Sequence, residues 1–246
     1  MSETPTFDRY LEHVQDQLQK VAADTASVAR AAELATASIQ AGRPLFVFGA
    51  SHAGLMAQDL FYRAGGLIPV VPILPAGLML NERPVQRTSR LERLTGVAET
   101  FMGDVPVQAG DVVIVISVSG RNPVPVEVCR LAQQRGATVI AVTGTAFSAS
   151  QPSRGEGRLF EVADVILDLP VAAGDAVLEL ADGSRVGPTS SVVGIALLHG
   201  ILCEVADRLR AAGVAPPVYV SGNIDGADDR NERLIDEWRD RIGYAG

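Results

Sequence analysis

The run Ser117-Val118-Ser119-Gly120-Arg121-Asn122 places two hydroxyls, a glycine and an amide directly after the apolar residues 112–116. Such a turn, leading into a helix, brings backbone N–H groups and the positive end of a helix dipole to one point, which suits an anion. Pro123 suits the first helical position, with Asn122 as N-cap. A second small-residue loop, Gly49-Ala50-Ser51-His52-Ala53-Gly54, follows the apolar stretch 45–48 and carries Ser51 and His52. In an open α/β sheet, ligands bind beyond the carboxyl ends of the strands, so two such loops could close on one phosphate. His52 could touch a sugar or simply cap the following helix. For proton transfer the candidates are His199, in Leu197-Leu198-His199-Gly200-Ile201-Leu202, and the carboxylates Glu82 and Glu92. Among such apolar neighbours, His199 also reads as a hydrogen-bonded core histidine.

Other chemistries are excluded by what is scarce. Lysine occurs once, as Lys20, so arginine supplies the other twenty of the 21 basic residues. Lys20 lies far in sequence from both loops, which argues against Schiff-base chemistry. His199 and Cys203 are four apart and share a helical face, but two ligands do not make a metal site. No metal or cofactor is expected. A net charge of −8 argues against nucleic acid or an anionic membrane as partner. The two cysteines, Cys129 and Cys203, read as reduced core or near-core residues of a cytosolic protein. The polar N-terminus and the lack of any apolar run near about 18 residues predict neither signal peptide nor membrane span. Localisation is therefore expected to be cytoplasmic.

The elements that must hold these groups alternate strand and helix, so the class is α/β. Residues 112–116 are a β-branched apolar run, as in a parallel strand buried on both faces. The helix from Pro123 ends at Gly136, with Val124, Val128 and Leu131 on its buried side and Val126, Arg130 and Gln134 on the other; residues 138–142 form the next strand. Upstream, residues 7–41 read as one long helix or a broken pair, with Thr6 as N-cap and Leu11, Val14, Leu18, Val21 and Val28 on its stripe. Residues 45–48 are a strand, 55–64 a helix and 67–74 a third strand. Residues 75–101 are irregular, with a short helix capped by Thr88 or Ser89. Residues 146–157 are rich in Ser, Gly and Pro and read as a loop; residues 163–168 are the last sheet strand. Residues 176–187 turn at Asp182-Gly183, which predicts a hairpin insertion. Thr189 or Ser190 caps a helix to about Ala212, and a closing helix spans residues 229–242. The whole, residues 1–246, is expected to be a single domain: a helical segment 1–43, an α/β core 44–212, and a tail with a helix 213–246.

In combination, Gly49-Ala50-Ser51, Ser117-Val118-Ser119-Gly120-Arg121-Asn122 and the segment Arg135-Gly136-Ala137-Thr138-Val139-Ile140-Ala141-Val142-Thr143 resemble the SIS (sugar isomerase) domain, over roughly residues 7–212. Ser221-Gly222-Asn223-Ile224-Asp225-Gly226 resembles a bacterial subgroup of SIS-containing proteins. The resemblance implies a three-layer α-β-α sandwich around a five-stranded parallel sheet, flavodoxin-like in architecture. It also implies a phosphosugar ligand and a homodimer or tetramer. By position it assigns the phosphate to Ser51, Ser117 and Ser119, within the S-x-S-G segment that ends at Gly120. The family usually has Thr where this chain has Asn122. The segment around His199 resembles the late helix of phosphoheptose isomerases, which carries a catalytic histidine. Those enzymes place a metal-binding His and a catalytic Glu on the first core helix. Aligned from Ser51, this chain has Ala57 and Phe61 there. The C-terminal lysine of the glutamine-dependent aminosugar synthases is also missing.

The expectation is thus a phosphosugar isomerase, converting aldose and ketose by proton transfer next to the carbonyl, with His199 and Glu82 as its acid–base groups. The alternatives are a phosphosugar-binding or regulatory domain without turnover and a phospho-amino-sugar lyase or etherase. Ser119→Asp would put a like charge where the phosphate sits and is expected to abolish sugar-phosphate binding. Unchanged affinity by calorimetry would remove this loop from the site.

Overall fold

The computed structural model describes residues 4–243. Five strands form one all-parallel sheet in the order β2-β1-β3-β4-β5. They are β1 (Leu45–Gly49), β2 (Val70–Ile73), β3 (Val112–Ile116), β4 (Thr138–Thr143) and β5 (Val165–Asp168). Every residue of β1 and β3 is buried, as continuous apolar runs require of central parallel strands. Successive side chains point to opposite faces and seed two cores. Leu45, Val47, Ile114, Ile116, Ile140 and Val142 face one layer of helices. Phe46, Phe48, Val113, Val115, Val139 and Ala141 face the other.

The first layer contains α1 (Thr6–Ala23), α2 (Thr25–Gln40), α3 (His52–Asp59) and α9 (Ser190–Ala211). The second is built on α4 (Gln86–Glu92), α5 (Glu99–Met102) and α6 (Pro123–Gln134), with the short α7 (Thr145–Ala149) and α8 (Leu159–Val162) beyond. The hairpin is present as β6 (Leu178–Glu179) paired antiparallel with β7 (Arg185–Val186). Finally α10 (Ala227–Ile242) closes over Ile68 and Tyr219 through Leu234, Ile235 and Trp238. Among the described residues no helix is long and apolar enough to cross a membrane.

Several boundaries differ from the sequence reading for identifiable reasons. The N-terminal helix is a broken pair. Asp24 interrupts it, and its carboxylate accepts from the Ser27 N–H at 3.2 Å to start α2. Thr6 is the first helical residue rather than the cap, and Leu11 stays exposed. Helix α3 begins at His52, three residues early, because its first turn packs directly on the end of β1. Thr88 and Ser89 lie inside α4, where the Thr88 hydroxyl donates to the Val85 carbonyl at 3.0 Å. Val126 is buried, since α6 is covered by α4 and α5 on the side expected to face solvent. Cys203 is exposed, whereas burial, reinforced by Asp164, pushes the Cys129 thiol up to about 12.

Two further devices set the first layer of helices. Helix α9 is capped from fifteen residues upstream. Asp175 accepts the Thr189 and Ser190 N–H groups, both at 3.0 Å, and the Ser190 hydroxyl. The start of α3 depends on two glycines. A Cβ on Gly49 would lie 2.4 Å from the Ala53 carbonyl, and one on Gly54 would lie 2.9 Å from the Gly49 oxygen. Gly49→Ala is expected to lower the unfolding free energy by roughly 1–3 kcal/mol, the usual cost of overpacking. Urea unfolding checks it, and an unchanged midpoint would contradict the close approach.

Candidate functional site

The strand order reverses between β1 and β3. From β1 the chain crosses to β2 on one side, and from β3 to β4 on the other. Gly49 and Ile116 are paired neighbours, so the two polar loops leave adjacent strands at the same level. This is the position where open α/β sheets form their ligand crevice.

On the β1 side, Ser51 has φ 57° and ψ −122°. That is the first central position of a type II′ turn, which glycine occupies by preference. The turn is closed by the Ala53 N–H donating to the Ala50 carbonyl at 3.1 Å, and Ser51 N–H donates to the Leu78 carbonyl at 2.8 Å. A serine held there carries strain of roughly 1–3 kcal/mol. His52 opens α3 and is exposed.

On the β3 side, three carbonyls of the turn are claimed. Val118 accepts from the Gly144 N–H at 2.9 Å, Gly120 from Leu159 at 2.8 Å and Arg121 from Arg154 at 2.9 Å. The N–H groups of residues 118–122 donate to no protein acceptor among the described residues. Nor do the hydroxyls of Ser51, Ser117 and Ser119 have a protein partner there. Gly120 has φ 57°, and a Cβ on it would come within 2.7 Å of the Thr143 hydroxyl, so only glycine fits. The turn therefore directs these three acceptors into the protein and the N–H groups of the same peptide units, those of Ser119, Arg121 and Asn122, outward, the polarity of an anion-binding nest.

Asn122 occupies the N-cap position of α6 without a side-chain capping bond. Its amide oxygen instead accepts from Arg154 Nη1 at 2.9 Å. Beside it stands Glu92, from the end of α4. Burial pushes the Glu92 carboxyl above the ordinary carboxylate range, and the Asn122 amide with the Arg93 and Arg154 charges offsets this only in part. Arg154 comes from the Ser/Gly/Pro-rich stretch, whose first part is helix α7. The rest is tied down by Arg158, which donates to the Ser148 and Gln151 carbonyls. No local pattern marks Arg154, because its partner is 32 residues away.

The two residues expected to carry the proton chemistry are held by partners outside this turn. Glu82 is held by the Gly77 N–H at 2.6 Å and by Arg87 at 3.9 Å. His199 is half-buried on the seam between α9 and α3, not in the core. Its Nε2 lies 2.8 Å from Asp59 Oδ2, and Arg63 Nη1 lies 2.7 Å from the same oxygen. A carboxylate that close fixes the proton on Nε2, so the 3.3 Å approach of Arg63 to that nitrogen joins two donors and is not a hydrogen bond. Asp59 is seven residues along α3 from His52, about 10 Å at the helical rise. Ala57 is fully buried and Phe61 half-buried. Among the described residues no three His, Cys, Asp or Glu side chains group as a metal site.

Comparison with known proteins agrees with this architecture. A family model described as SIS domain matches residues 9–144. A UPF0309 protein of Halalkalibacterium halodurans is 43% identical, with 97% of this chain and 95% of that protein covered. One from Shouchella clausii is 40% identical, with 96% and 98% covered. Among solved structures, a phosphoheptose isomerase from Neisseria gonorrhoeae matches with a TM-score of 0.54 at 17% identity, over 82% of this chain and 97% of that one. One from Francisella tularensis matches with 0.52 at 16%, over 83% and 100%. At these identities the structures establish a shared fold.

Ser51→Gly removes the hydroxyl and relieves the positive φ. We expect an unfolding free energy within about 1 kcal/mol of wild type, or above it, together with weakened sugar-phosphate binding. Lost stability with retained binding would contradict the turn. The Glu92 carboxyl, raised in the folded state, contributes stability that is fully present below its ordinary value of 4.5 and is lost as pH rises through the folded value. Glu92→Gln lacks that loss, so its stability relative to wild type should increase as pH rises above 4.5. Parallel stability curves would contradict the burial.

Proposed function

The chain belongs to the SIS domain family, and from that premise we propose that it is a phosphosugar aldose–ketose isomerase. One observation carries the reading: unpaired N–H groups and serine hydroxyls from two loops converge at the strand-order reversal between β1 and β3. Together they supply an oxyanion with donors on one side, assisted by the N-terminus of α6, and without any lysine. Ser51, Ser117 and Ser119 hold the phosphate, backbone N–H groups around Gly120 complete its shell, and His52 faces the sugar.

Moving a proton next to a carbonyl needs a carboxylate or imidazole whose proton affinity suits neutral pH. Glu92 fits this better than Glu82. It stands beside Asn122 at the edge of the phosphate turn, and burial raises its proton affinity. Glu82 is committed to the backbone of its own loop. His199, paired with Asp59 some distance along α3, would act in a site completed by a second copy of the chain, in keeping with a homodimer.

A second reading, phosphosugar binding without turnover, draws on Ala57 and Phe61. They stand where phosphoheptose isomerases carry a metal-binding His and a catalytic Glu, and neither side chain can ligate a metal or move a proton. The experiment that separates the two follows ketose and aldose phosphates by proton NMR in D2O. Isomerisation with deuterium uptake at the carbon next to the carbonyl supports the enzyme, and Glu92→Gln should slow it by at least ~100-fold. Binding of the same sugars with no conversion or exchange supports the second reading instead.

A further inference from the structure

Three guanidinium groups gather at the N-terminus of α6. Arg93 follows α4, Arg121 lies in the β3 turn, and Arg154 is held against Asn122. The Glu92 carboxyl is the acidic group beside them, and it offsets only part of their charge. Among the described residues none of the three makes an ion pair within 4.0 Å. The one side-chain hydrogen bond the group makes among the described residues, from Arg154 to Asn122, goes to a neutral amide. The buried Arg121 Nε has no acceptor among the described residues. Burial, then the Arg121 and Arg93 charges, hold the Arg154 guanidinium below its ordinary range; the Glu92 charge offsets them only in part.

Several arginines elsewhere in the chain are matched by a carboxylate. Acidic residues outnumber basic ones, with 29 Asp and Glu against 21 Lys and Arg. Arg130, Arg158, Arg185 and Arg208 each have a carboxylate within 4 Å. Like charges drawn together beside a single carboxyl repel, and an anion bridging them reverses the sign of the interaction. A guanidinium fork matches a carboxylate or a phosphate in shape as well as in charge.

We propose that the substrate is a sugar phosphate bearing a second oxyanion, seated among Arg93, Arg121 and Arg154 while the phosphate occupies the serine turn. The inference rests on the phosphosugar reading and narrows its substrate class. It also assigns Asn122 a positioning role: its amide oxygen orients Arg154 toward the second anion.

The test measures affinities of the full chain by calorimetry for fructose 6-phosphate, 6-phosphogluconate and fructose 1,6-bisphosphate. A probe with a second anionic group should bind at least about tenfold more tightly than fructose 6-phosphate, the scale of one charge-assisted hydrogen bond. Preference for 6-phosphogluconate identifies the second group as a carboxylate, and preference for the bisphosphate identifies it as a phosphate. In Arg93→Gln and Arg154→Gln the ratio of affinities should fall toward one. Because the ratio is read within each variant, a general loss of stability does not imitate the effect. Equal affinities in the wild-type chain, or a preference that survives both substitutions, would overturn this inference and leave the phosphosugar reading intact. Binding of none of the three sugars would overturn both.

Discussion

Three backbone hydrogen bonds, from Gly144, Leu159 and Arg154 to the carbonyls of Val118, Gly120 and Arg121, hold the turn after β3 in its working shape. A peptide unit has two ends, so fixing the carbonyls inward aims the N–H groups outward. The donors come from three separate places: the end of β4, the start of α8 and the Ser/Gly/Pro-rich stretch between α7 and α8. The anion-binding face is therefore a property of the assembled second layer of helices and not of the six turn residues alone. Gly120 makes it feasible, because both its φ and the space beside Thr143 exclude a side chain.

The opposite wall depends on a different economy of space. Gly49 and Gly54 let α3 start on top of β1, which brings Ser51 to the level of Ser117. The backbone of Ser51 is strained, and the Leu78 carbonyl holds it there. Strain kept at a hydroxyl-bearing residue where glycine would be relaxed is what positioning for a ligand looks like in structural terms.

Much of this was legible in the amino-acid sequence, and the limits are physical. The β-branched run 112–116, Pro123 after the polar turn and Asp182-Gly183 in the hairpin are local signals, and each led to the observed element. Both serine loops could be placed because strand ends and turn composition are local too. What escaped depends on long-range packing. Val126 is buried because α4 and α5 come to cover it, which periodicity along α6 does not encode. His199 finds Asp59 across 140 residues, and Asp175 caps α9 from outside its own turn. The meeting of Glu92, Asn122 and Arg154 joins three segments, so neither its raised carboxyl nor its surplus of cations could be read from spacing.

An acidic chain with a single lysine thus collects its local positive potential from peptide dipoles and a few arginines. The central claim is that the outward N–H groups of the β3 turn and the hydroxyl of Ser51 receive a phosphate. The most direct measurement is a 15N–1H NMR titration of the assigned chain with fructose 6-phosphate and, separately, with fructose. The account predicts that the phosphorylated sugar moves the amide signals of residues 118–122 and 51–53 first and most, and that fructose at the same concentration leaves them in place. Equal shifts with fructose, or shifts confined to residues away from these two loops, would contradict it.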